Sequence, residues 1–67
     1  MYLETHLIPT KRDEWIINLH LQDGTKIEAR VVKGYRAAVE ETKAWAAKLE
    51  NCEYSIGGMG YNQHESK

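Results

Sequence analysis

From Trp15 to Leu21 the side chains alternate, with Trp15, Ile17, Leu19 and Leu21 on one side and Ile16, Asn18 and His20 on the other. Thr25 to Val32 repeats the pattern, setting Thr25, Ile27, Ala29 and Val31 against Lys26, Glu28, Arg30 and Val32. Period-two alternation in β-branched segments predicts half-buried strands. The intervening Gln22-Asp23-Gly24 predicts a hairpin turn. A two-residue Asp23-Gly24 turn would set Leu21 opposite Lys26 and Leu19 opposite Glu28, mixing apolar and charged side chains on one face. A three-residue loop pairs Leu21 with Thr25, Leu19 with Ile27, Ile17 with Ala29 and Trp15 with Val31. That loop is a type I turn closed by a left-handed glycine bulge, with Gly24 at the position that needs positive φ.

Tyr35 to Glu50 switches to the helical period. Tyr35, Ala38, Val39, Thr42, Ala46 and Leu49 form one stripe in an alanine-rich run without Gly or Pro. The run predicts roughly 24 Å of helix at ~1.5 Å per residue. No Ser, Thr, Asp or Asn stands at its start, so Gly34 is the expected cap and the first turn is expected to fray. Two shorter segments complete the pattern. Tyr2 to Ile8 reads as a strand burying Leu3 and Leu7 and ended by Pro9, and Cys52 to Ile56 as a short strand with Tyr54 and Ile56 inward. Gly57, Gly58 and Gly60 break any regular element beyond that strand.

The expected fold is α+β: a small antiparallel sheet of three strands, or four if the last one forms, with one helix packed on one face, β-β-β-α(-β). Residues 1–60 are expected to form the single domain and 61–67 a flexible polar tail. The second sheet face has no layer of its own. An uncovered face and an open edge are surfaces a partner can use.

Composition narrows the function classes. At 67 residues the chain holds one domain, and 42% hydrophobic residues suffice for a small core. One cysteine excludes a disulfide framework and a thiolate zinc cage. A lone thiol fits a reducing compartment, so the expected location is cytoplasmic. The N-terminal stretch has no signal-peptide pattern, and no apolar run approaches a membrane span.

Catalytic, cofactor and metal sites are not expected. His6, His20, His64 and Cys52 lack the spacing of known metal sites. Cys52 lies between Glu50 and Glu53, whose charges disfavour a thiolate, and reads as a small apolar filler. Gly57-Gly58-Met59-Gly60 has the glycine content of a phosphate cradle without its spacing. Glu40 and Glu41 are adjacent on the helix and point about 100° apart, so they share no site.

Two binding readings remain. The first is a small non-catalytic regulatory or inhibitory protein of the kind phages and mobile elements carry, acting through protein–protein contact and able to form a homodimer. Its surface would be the uncovered face with Ile16, Asn18, His20, Lys26, Arg30 and Val32. Trp45, ~60° from the centre of the helix stripe, would be an anchor or a seal at the core margin. The alternative is a nucleic-acid-binding module reading bases with Asn18, His20, Lys26 and Arg30, with Lys11 and Arg12 on phosphates. Nine basic against ten acidic residues weigh against it, since affinity for nucleic acid rests largely on phosphate neutralisation.

Overall fold

The computed structural model describes residues 1–58 and 61–65. In chain order its elements are β1 (Tyr2–Leu7), β2 (Glu14–His20), β3 (Lys26–Lys33), α1 (Tyr35–Lys48), β4 (Glu53–Gly58) and β5 (Tyr61–Glu65). The strands form one sheet in the order β3-β2-β1-β4-β5, and α1 packs across β1 to β4. β1 pairs antiparallel with β2 and parallel with β4, so the sheet is mixed and not purely antiparallel. The α+β class and the single covering helix agree with the sequence pattern. The parallel pair follows from the crossover through α1, which returns the chain to the far side of β1.

The covered face alternates as the pattern requires. Leu3 and Thr5 from β1, Trp15, Ile17 and Leu19 from β2, and Tyr54 and Ile56 from β4 are buried. They meet Ala38, Thr42, Trp45 and Ala46 of α1, with Cys52 closing the core. The helix stripe is therefore wider than expected: Trp45 is 5% exposed and belongs to the core, not to an exposed anchor position. One polar pair lies among these apolar residues. The hydroxyl oxygens of Thr5 and Thr42 are 2.7 Å apart, and Thr42 donates to the Ala38 carbonyl at 2.7 Å. Thr42 has one hydroxyl proton, so Thr5 is the donor to Thr42 and both groups are satisfied.

The loop of the β2–β3 hairpin has the expected three residues. The Leu21 amide donates to the Thr25 carbonyl, the Gly24 amide donates to the Leu21 carbonyl, and Gly24 has φ +94°. The Asp23 carboxylate accepts from the Thr25 amide at 2.9 Å, which holds its pKa below the ordinary carboxylate range. The register beyond the loop differs from expectation. A bulge between Leu19 and His20 inserts Ile27 as an extra residue, so Leu19 faces Glu28, Ile17 faces Arg30 and Trp15 faces Val32. A one-residue shift inverts every side chain downstream of it.

At the start of α1, Gly34 takes φ +95° and ψ 137°, and its amide donates to the Asp13 carbonyl at 2.7 Å. No side chain caps the helix, in keeping with the sequence. β5 occupies Tyr61–Glu65, where the sequence pattern suggests a polar tail. Its ladder to β4 is made by main-chain groups, whose pairing does not depend on hydrophobic alternation. Residues 59, 60, 66 and 67 lie outside the described residues.

Candidate interaction surface

The sheet face turned away from α1 is organised in rows set by the strand register. One row runs Glu53, Tyr2, His20, Lys26; the next runs Ser55, Glu4, Asn18, Ala29; the third sets His6 beside Ile16 and Val31. The first two rows are largely engaged with one another. The rings of Tyr2 and His20 stack at 4.8 Å with their planes 16° apart. His20 Nδ1 lies 3.2 Å from the Gly24 carbonyl oxygen. His20 Nε2 lies 3.1 Å from Glu4 Oε1, close enough for an ion pair but off the line of a hydrogen bond. Glu4 Oε2 in turn lies 3.8 Å from His6 Nε2. Asn18 Oδ1 is buried and accepts no hydrogen bond.

The third row and the strand beyond it are bare. Among the described residues the exposed large hydrophobic side chains are Leu21, Ile27 and Val31, at 38%, 50% and 59% exposure. All three lie on the β2–β3 hairpin or its loop margin, and two belong to β3, the edge strand. β3 pairs with β2 on one side and with no other strand among the described residues. Exposed apolar side chains and a free main-chain ladder therefore coincide on one element. Sheets ordinarily avoid that combination, because a free ladder templates pairing with another chain.

The bulge redistributes the residues expected here. Ile16, Asn18, His20 and Lys26 lie on or beside the open face, as the alternation implies. Arg30 and Val32 do not: they stand opposite Ile17 and Trp15, on the helix side. Val32 packs against the core. The Arg30 guanidinium lies 3.8 Å over the Trp45 ring, and it donates to Glu41 and, at 3.4 Å, to Glu28. Hydrogen bonding to Glu41 raises its pKa further, keeping the charge fixed on this side. Ala29 and Val31 replace Arg30 and Val32 on the open face. The pattern could not distinguish these alternatives, because Val31 and Val32 are adjacent and equally apolar.

The shift moves Arg30 off the open face and sets Lys33, opposite Glu14, on it. Lys11 and Arg12 remain exposed in the β1–β2 loop, but Arg30 points to the other side and is matched by two carboxylates. Cys52 is buried, and burial pushes its thiol pKa up, with Glu53 adding to the effect. No group of three or more His, Cys, Asp or Glu side chains placed to hold a metal ion occurs among the described residues; the His64 side chain is outside them. No helix among the described residues is long and apolar enough to cross a membrane. No protein-family model, curated protein sequence or solved structure matches the chain.

Proposed function

We propose that the protein is a non-catalytic binding protein, regulatory or inhibitory in kind, that acts through protein–protein contact made by the outer part of the β2–β3 hairpin. The observation that carries this reading is the gathering of Leu21, Ile27 and Val31 on one hairpin whose outer strand has a free edge. An apolar side chain exposed on a strand with a free edge offers a partner strand both a ladder and a side chain to pack against. Strand addition would supply main-chain hydrogen bonds, with alternate side chains supplying selectivity. Ile16 and Val31, neighbours across β2 and β3, would form the apolar part of the contact.

The test is site-directed photocrosslinking in cells that express the protein. A benzophenone side chain at Val31 is expected to give discrete adducts of protein mass, and one at Ala47, exposed on α1, is expected to give none. Equal labelling from both positions, or none from Val31, overturns the reading. Adducts that disappear on nuclease treatment would replace it with the nucleic-acid alternative.

A further inference from the structure

We propose that the partner at the β3 edge is a second copy of this chain, paired antiparallel to β3 about a two-fold axis through Ala29. The inference rests on the hairpin being the contact surface and goes further by naming what occupies it.

Complementarity along the strand selects this pairing. In an antiparallel pair related by a two-fold perpendicular to the sheet, residues whose numbers add to twice the central position face one another on the same side. Centred on Ala29, Glu28 faces Arg30 of the partner copy and Arg30 faces its Glu28, so two opposite-charge pairs form at once. Val31 of each copy, 59% exposed, then lies two residues from the axis on the open face. A two-fold at Glu28 would set Glu28 against itself. One at Arg30 would set Arg30 against itself, and one at Val31 pairs no opposite charges. Like charges directly opposite one another destabilise a ladder and opposite ones support it. Within the regular segment Glu28 to Lys33, Ala29 is the centre that pairs opposite charges and sets no like charges against one another.

The structure leaves room for this pairing. Glu28 and Arg30 keep 51% and 40% of their side chains exposed despite their contact within the chain. The bulge sits at the hairpin end of β3, so Glu28 to Lys33 continue as a regular strand. The small side chain at the centre lets the backbones approach. The product would be one sheet continuous through both copies, with both helices on the same face.

Crosslinking and mass together decide the matter. In a Cys52→Ala background, Ala29→Cys is expected to form a disulfide-linked dimer under mild oxidation, because directly opposed residues of an antiparallel pair lie at disulfide distance. Ala37→Cys, exposed on α1, is the control expected to stay unlinked. Sedimentation equilibrium of the unmodified chain is expected to reach twice the monomer mass as concentration rises. Glu28→Arg, which sets arginines face to face, is expected to weaken association at least tenfold while circular dichroism stays unchanged. A monomer up to about 1 mM, or Ala29→Cys linking no faster than Ala37→Cys, overturns the proposal. A monomer that still yields Val31 adducts to a different protein overturns self-pairing alone and leaves the proposed function standing. Absence of both adducts and association removes both.

Discussion

Thr5 and Thr42 show how tightly one buried polar pair binds sheet to helix. Each hydroxyl is wholly removed from solvent, and each has a single proton with one acceptor to receive it. Thr42→Val is nearly isosteric but leaves the Thr5 hydroxyl without an acceptor. A buried unmatched hydroxyl costs about 1–3 kcal/mol. The single variant is therefore expected to lose about that much stability in urea denaturation. Thr5→Val with Thr42→Val removes both groups together and is expected to fall closer to the parent. A double variant as damaged as the sum of the singles would show that packing, not the hydrogen bond, holds this contact. Trp45 is buried by different means. Its angular distance from the stripe suggested a margin, yet the Arg30 guanidinium roofs its ring and completes its burial. A cation on a neighbouring strand can extend a core where no apolar residue is available.

At the scale of elements, two connections carry conformations that the side chains must permit. Gly34 joins β3 to α1 at φ +95°, and a methyl group there would meet only Asp13 Oδ2 at 3.9 Å. The obstacle to substitution is backbone conformation and not crowding. Gly34→Ala is expected to cost about 1–3 kcal/mol, the range for a residue forced into a sparsely populated region, as read by the thermal unfolding midpoint. In the hairpin, Asp23 has its pKa lowered by the Thr25 amide. A folded-state pKa below the unfolded one means its stabilisation is complete above the unfolded carboxylate range. It is lost as pH falls through the folded value. The Thr25 amide resonance is expected to shift in that acidic window and to hold steady in Asp23→Asn, which keeps an acceptor oxygen but does not titrate.

The elements themselves were largely legible from residue order. β1, β2, α1 and the inward Tyr54 and Ile56 follow from periodicity, and the hairpin loop from register and Gly24. The facing of β3 was not. Once Ile27 bulges, the residues expected inside, Ala29 and Val31, turn out, and Arg30 and Val32 turn in. Alternation records a period but not an interruption of it, and charge on Arg30 argued for the solvent side. Only the tertiary partners Trp45 and Glu41 reverse that preference. β5 had no hydrophobic signal to read, because its pairing to β4 is a matter of main-chain groups.

For the molecule as a whole, β1 is the keystone. It is flanked by β2 and β4, and Leu3 and Thr5 are completely buried beneath α1. Opening its amides requires broader unfolding than opening an edge. In dilute, monomeric protein, native-state hydrogen exchange is therefore expected to be slowest at the paired amides of β1 and fast along the outer side of β3. Uniform exchange across all strands would contradict this ordering.

The position of β1 also bears on the order of folding. A chain in which Tyr2 to Lys33 alone had ordered would be a meander of three strands with both margins open and Leu3, Ile17 and Trp15 facing water. β1, an outer strand in that meander, gains its second neighbour only when α1 has crossed and Glu53 to Gly58 has paired. Such an intermediate would display more adhesive surface than the finished protein, and on both margins of the sheet at once.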